Sequence, residues 1–335
     1  MQGICSTMTS LRRLPRPSKH SSPDVHRLNV SSRQRAYIAL AVLTVIWGMN
    51  WLAMKFALQR ADPVSFNIQR TLLAIVVLFG AMLLRRVPLA PQSWIAIIVT
   101  GFLQTTLNFG STTMAVAYGA PGRVSVLVFT MPFWTLLLAW PVFGERVRGG
   151  QWLAVLLALV GLTLVVEPWN WHEEIKPRLW AVLSGFGWAS GTIATKYFQR
   201  EKQLDMLNFI AWQMVAGIIP FLFIPLFRDA PPTRWDAAYI ALLIYSGALC
   251  TAAGFLIWIA VLRVLPAGTA ALNMLAIPAI ALVSSMLVLG ERLSGNDWLG
   301  IACIAGGLLT ISLLAWRAAR RSASDVTSVP MIESG

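Results

Sequence analysis

The sequence predicts an all-α integral membrane protein of ten transmembrane helices, arranged as two inverted five-helix repeats. Three observations carry this. Of 335 residues, 57% are hydrophobic and 12% charged, about half the charged share of a soluble domain, so lipid is the expected solvent. The chain divides into ten apolar segments of spanning length. And residues 132–162 align without gaps on residues 278–308.

The segments fall near 37–58, 64–84, 93–117, 122–141, 150–167, 178–197, 206–227, 237–262, 267–289 and 296–316. Each approaches the ~20 residues that cross a ~30 Å hydrocarbon core. The fourth is interrupted by Pro132 and the fifth is short. Every backbone polar group must pair inside its own segment in lipid, hence helices rather than open strands. The connections are short, so no soluble domain is inserted. The expected organisation is a disordered basic cytoplasmic tail over 1–36, five-helix repeats over 37–167 and 178–316, and a cytoplasmic tail over 317–335.

Orientation follows from the 27 Lys and Arg residues. With the N-terminus inside, the cytoplasmic segments hold eighteen, including Arg85, Arg86, Arg146, Lys196, Arg200, Arg317, Arg320 and Arg321. The opposite side holds seven, among them Arg60, Arg123, Arg178, Arg228 and Arg292; Lys55 and Arg70 lie within spans. This bias puts both termini in the cytoplasm, in a plasma (bacterial inner) membrane, with Trp94, Trp152, Trp180, Trp235 and Trp298 near span ends as interfacial anchors.

Several classes are excluded. The net charge of +13 is spread singly between apolar runs with no nucleic-acid module, so it reads as topology control. Cys5, Cys250 and Cys303 form neither a disulfide framework nor a CxxC site. His20, His26 and His172 lie outside the apolar runs, so no buried histidine site exists. No metal or cofactor is expected. The first apolar segment has spanning length and no small-residue cleavage site, which argues against a signal peptide.

The repeat carries the most information. At an offset of 146, Pro132 matches Pro278, Gly144-Glu145-Arg146 matches Gly290-Glu291-Arg292, and Gly149, Trp152, Gly161 and Leu162 match Gly295, Trp298, Gly307 and Leu308. Gly101 and Thr105 match Gly247 and Thr251 at the same offset, and Trp47 and Lys55 match Trp188 and Lys196 at 141. Each half has an odd number of spans, so the second enters the membrane inverted. Inverted repeats mark transporters that alternate access around a central site.

Two five-helix units, each with a Pro followed at the same spacing by Gly-Glu-Arg and a Gly-rich helix, together with Trp47-Gly48, Lys55 and Arg70, resemble the EamA-type domain of the drug/metabolite transporter superfamily. The resemblance covers about 37–316. It implies an exporter of amino acids, metabolites or drugs, with broken fourth and ninth helices beside the cavity. The second half departs from the first in having Gln213 where the first has Arg70.

Candidate cavity residues are polar or aromatic and mid-span, because charge facing lipid costs ~3 kcal/mol or more. Trp47, Asn50, Trp51 and Met54 recur at three-to-four spacing on one helical face, and Trp188 and Thr192 do so in the sixth span. Gln104 and Asn108 form an i, i+4 pair; such amides either bond a solute or bond a neighbouring helix. Arg70 reads either as a cationic site for a carboxylate or as a snorkelling or backbone-paired arginine. Lys55 is open between the two roles, whereas Lys196 reads as snorkelling. Gln213 and Asn273 complete the set. Pro132 and Pro278 are the expected helix breaks.

Gly187 and Gly191 read as a helix-packing pair rather than a phosphate loop. The Gly-Glu-Arg triplets read as tight turns between antiparallel spans, with a gate as the secondary reading because their charges sit at opposite interfaces. All fourteen Asp and Glu residues lie in tails, loops or span ends, so facilitated diffusion or exchange is at least as plausible as proton coupling, for which Glu145, Glu291 and Lys55 are the remaining candidates. The expected partners are the bilayer and a small organic solute, not nucleic acid; a homodimer is compatible with the sequence. An integral membrane enzyme is the alternative, and no paired aspartates, HExxH or Ser–His couple lies within the spans to support it.

Overall fold

In the computed structural model, residues 30–147, 149–169, 175–262, 264–265, 274 and 276–327 are described. All their regular structure is helical.

Helix α1 spans Val30–Ala57 and α2 spans Pro63–Leu84. Between them Asp62 accepts from the Val64 and Ser65 amides, with Pro63 at the first helical position, so two orphan donors are met before α2 enters the bilayer. The next helical run begins as α3 (Trp94–Thr100), widens into π-helix over Gly101–Phe109, and returns to α-helix as α4 (Gly110–Tyr118). Helices α5 (Pro121–Val128) and α6 (Met131–Phe143) follow, separated at Phe129-Thr130. Pro132 lacks an N–H and crowds the turn before it, which places the break there.

Helices α7 (Gly150–Val166), α8 (Ile175–Glu201) and α9 (Met206–Phe223) come next. The α10 helix (Ala237–Ile244), a second π segment (Tyr245–Ala253) and α11 (Gly254–Leu262) repeat the earlier α–π–α pattern. The last two described helices are α12 (Ala276–Leu289), with Pro278 near its start, and α13 (Gly295–Thr327).

Among the described residues, helix bounds follow the apolar segments to within a turn except at the two ends; the start of the segment 267–289 lies outside the described residues. Residues from Val30 on are helical, inside the stretch expected as a disordered tail, and α13 extends through Thr327, past 316. A bilayer limits where apolar residues stop, not where helix stops, and Arg33-Gln34-Arg35 and Arg317-Ala318-Ala319-Arg320 are good helix formers.

Among the described residues, six stretches are long and apolar enough to cross a membrane: Gln34–Ala57, Pro63–Leu84, Pro121–Phe143, Met206–Leu226, Ala237–Val261 and Gly295–Leu314. Gly150–Val166 and Ala276–Leu289 are shorter apolar helices. The run 94–118 and α8 are long but carry polar residues, Gln104 and Asn108 in one, Arg178 and Lys196 in the other. Leu72, Val76, Ile95, Leu156 and Leu287 are large and exposed, a surface that suits lipid.

Close crossings fix the bundle. At Gly101 an added Cβ would lie 2.5 Å from the Gln213 carbonyl oxygen, and at Gly247 an added Cβ would lie 2.9 Å from that of Arg70. Helices α7 and α13 pack through Gly161 against the Gly300 carbonyl and Gly307 against that of Ala154. Removing side chains lets backbones approach where lipid gives no hydrophobic drive. Gly144 and Gly290 end α6 and α12 in the left-handed region, with φ of 69° and 66°.

Candidate functional site

A cavity of about 140 Å³ lies within the bundle. Trp47, Asn50, Trp51 and Met54 reach it from α1, Arg70 from α2, Asn108, Phe109 and Thr112 from the third helical run, and Trp188 from α8. The far wall is Cys250 and Thr251 from the second π segment, Phe255 from α11, and Met274 and Ile277. Helix breaks supply the rest: Val128, Phe129 and Met131 stand at the α5–α6 interruption.

The indoles are held rather than loose. Trp47 Nε1 donates to the Cys250 carbonyl at 2.9 Å, and Trp188 stacks on Phe255 with ring centroids 6.2 Å apart. Asn50 accepts from Ser246 Oγ at 2.9 Å. Asn108 donates to the carbonyl and hydroxyl of Ser184, at 3.0 and 2.8 Å, and so ties its helix to α8 while its flank lines the cavity.

Arg70 is 3% exposed. Its guanidinium donates to Asn67 Oδ1 at 2.8 Å, and Asn67 in turn accepts from Thr113 Oγ1 and donates to the Phe109 carbonyl. The charge lies 4.5 Å from the Phe109 ring centroid and 5.5 Å from that of Phe66. Its Nε has no hydrogen-bond partner, and no carboxylate of the described residues pairs with it. A buried cation left without an anion is costly, so the protein keeps here a positive charge that it does not itself neutralise.

Other sequence candidates fall elsewhere. Lys55 does not line the cavity; its ammonium donates to the carbonyls of Val116, Ala117 and Gly119. Gln104, Thr192 and Gln213 form a ladder between helices, Gln213 donating to Gln104 at 3.1 Å and Gln104 to Thr192 at 3.5 Å. Asn273 lies outside the described residues. Lys196 does not snorkel alone: it pairs with Glu145 at 2.8 Å. That hydrogen bond, the largest influence on it, holds the Glu145 carboxyl below its ordinary value.

The apolar wall, Phe255 and Ile277 above all, carried no signal in the sequence, since a cavity-facing and a lipid-facing residue of a spanning helix look alike. Thr112 and Thr251 were detectable: Thr112 is one turn beyond Asn108 on the same face, and Thr251 is the repeat partner of Thr105.

A second, polar vestibule of about 520 Å³ opens at the end of the bundle where α1 finishes. Lys55, Arg123, Arg178, Glu291 and Arg292 line it. Arg123 pairs with Asp297 at 2.8 Å and Arg178 with Glu167 at 3.2 Å. Among the described residues the vestibule and the central cavity share no lining residue.

Two copies of one domain account for this chain. The profile of the EamA-like transporter family matches residues 34–167 and again 176–313. The chain belongs to the EamA-like transporter family. A "Probable amino-acid metabolite efflux pump" of Escherichia coli is 28% identical over 86% of this chain and 98% of its own length. An uncharacterised transporter of Bacillus subtilis, YoaV, is 25% identical over 82% of this chain and 95% of its own. A protein of known crystal structure shares the fold with a TM-score of 0.60, at 18% identity, over 85% of this chain and 99% of the other. The EamA protein is thus an integral membrane transporter of small solutes, and its apolar helices and internal cavity are the parts such a protein needs.

Proposed function

We propose that this EamA protein carries small carboxylate-bearing organic solutes, of the amino-acid metabolite class, across the plasma membrane by alternating access around the central cavity. The observation that carries the reading is Arg70: a buried guanidinium at the cavity wall, with an unpartnered Nε and, among the described residues, no carboxylate beside it. A solute carboxylate supplies the missing anion, while Trp47, Trp51, Trp188 and Phe109 receive an apolar body. The efflux pump of E. coli, by its name, handles the same class.

In this reading the chain crosses the bilayer ten times, with inverted halves over 37–167 and 178–316, both termini in the cytoplasm, and no catalytic step. Support comes from the paired family matches, the two π segments, and the equivalent crossings of Gly101 over Gln213 and Gly247 over Arg70.

Reconstituted vesicles test it directly. Amino acids and their acid metabolites should exchange across vesicles bearing the protein, and Met131→Trp, which fills the cavity, should abolish exchange without loss of protein. Exchange that persists in that variant would overturn the cavity as the solute path. Reporter fusions after Arg85 and Arg200 should read cytoplasm and those near Arg60 and Pro231 the other side; any reversal breaks the inverted arrangement.

A further inference from the structure

One turn at the vestibule end is gripped by two charges. Lys55 Nζ donates to the carbonyls of Val116, Ala117 and Gly119 at 3.0, 3.1 and 2.8 Å, taking up the acceptors left at the C-terminus of α4. On the far side of that turn, the Glu291 carboxylate accepts the backbone N–H groups of Gly122 and Arg123, each at 3.0 Å, at the start of α5. The Ser285 hydroxyl also donates to Glu291. A cation on a helix C-terminus and an anion on a helix N-terminus are both the favourable sign for the backbone dipoles. Lys55 comes from α1 and Glu291 from the turn after α12, so the grip joins distant parts of the chain.

What the turn holds in place is a thin septum. Met54 lines the cavity and its neighbour Lys55 the vestibule; Val128 lines the cavity and Leu127 the vestibule. Leu127 is fully buried. The first turn of α5, which Glu291 holds, leads within the same short helix to Leu127 and Val128 at that septum.

The repeat partners of these two charges behave differently. Glu145 stands at the offset of Glu291, and Lys196 at that of Lys55. At their end of the bundle they bond each other, at 2.8 Å, with Arg200 at 3.2 Å from the same carboxylate oxygen. Both are about half exposed, and neither bonds a helix end among the described residues.

We infer that Lys55 and Glu291 form a lock that shuts the vestibule end of the cavity, and that Glu145 and Lys196 are the same pair of charges in their unlocked form. Resting on the alternating-access reading above, this adds the device that sets which side is shut. Unlocking needs no chemistry: each charge exchanges backbone groups for a partner of opposite sign, as the Glu145–Lys196 pair already does.

The test is accessibility. In a protein with its native cysteines changed to serine, Met131→Cys puts a thiol on the cavity wall. An impermeant maleimide is added to sealed vesicles from the side on which position 60 reports. Glu291→Gln should raise the labelling rate about tenfold, the shift in open population that loss of one hydrogen bond to a charged group produces, and Lys55→Gln should act in the same direction. Gly122→Ala keeps both charges, but its Cβ would lie 2.6 Å from Glu291 Oε2, so it should also raise labelling even if Glu291→Gln fails to accumulate. Glu145→Gln should not. Unchanged labelling in Gly122→Ala, or an equal rise in Glu145→Gln, overturns the lock. The fusions after Arg85 and Arg200 read the repeat arrangement independently, so a failed lock and a failed topology give different results.

Discussion

Replacing Arg70 by Gln separates a solute-binding arginine from a structural one. The side chain is 3% exposed, makes one side-chain oxygen contact, at 2.8 Å to Asn67, and rests on two rings. A glutamine can keep a hydrogen bond to Asn67 but not the charge. If a solute carboxylate pairs with the guanidinium, its loss removes a charged hydrogen bond of about 1.5–3 kcal/mol, which is roughly a 10- to 150-fold rise in KM. The amide of the same solute should lose far less, because it carries no charge to pair. Stability gives the other half. Removing one partner of a buried protein ion pair costs about 3–5 kcal/mol, yet Arg70 has no such partner to strand, so the variant should accumulate normally and melt near the parent. Competition by acid and amide forms against a labelled solute in reconstituted vesicles reads the first part, and thermal unfolding in detergent the second. Equal weakening of acid and amide, or a collapse in protein yield, would refute the assignment.

Two further outcomes follow from the same geometry. Gly101→Ala and Gly247→Ala should each destabilise by about 1–3 kcal/mol, because their Cβ atoms would meet carbonyl oxygens at 2.5 and 2.9 Å; Gly80→Ala, with nothing within 4 Å, should leave the melting point unchanged or raised. Among the described residues no carboxylate lines the cavity, and Glu145 is held below its ordinary value by its hydrogen bond from Lys196. A depressed carboxyl contributes its pairing above the unfolded value and loses it only as pH falls through the folded one, so flux should be level from about pH 6 to 8. It should likewise need no imposed pH difference, and solute accumulation that a protonophore collapses would refute this.

Much of the architecture was legible because lipid imposes a length and a polarity on each segment. The helical extensions out to Val30 and Thr327 were not, since hydropathy marks where lipid stops and good helix formers continue past it. The cavity lining was legible where helical spacing puts residues on one face: Trp47, Asn50, Trp51 and Met54 reach the cavity together with Arg70, Asn108 and Trp188. Spacing fails for reach. Lys55 lies one residue past Met54, and its long stem carries the ammonium to another helix's end. It fails also for the choice between solute and neighbour: Gln104 and Gln213 are mid-span amides, but each finds the other across a helix contact. Glu291 read first as part of a turn and only second as a gate, and its hold on α5 spans 169 residues of sequence.

The two halves agree where backbones touch and differ where a solute would. Gly101 crosses the Gln213 carbonyl and Gly247 crosses that of Arg70, so the crossing demands glycine on one helix and leaves the side chain on the other free to diverge. One half used that freedom for a guanidinium, the other for an amide bonded to Gln104. On the alternating-access reading, a single cation serves both the inward and the outward states, so the solute stays on α2 while the ends of the bundle change around it. Selectivity then belongs to Arg70 and sidedness to Glu291, and the two residues share no hydrogen-bond partner. Independent sites that share no partner usually combine additively. Changing both should therefore alter which solute is taken and from which side the cavity is reached, each by the amount that its single variant shows.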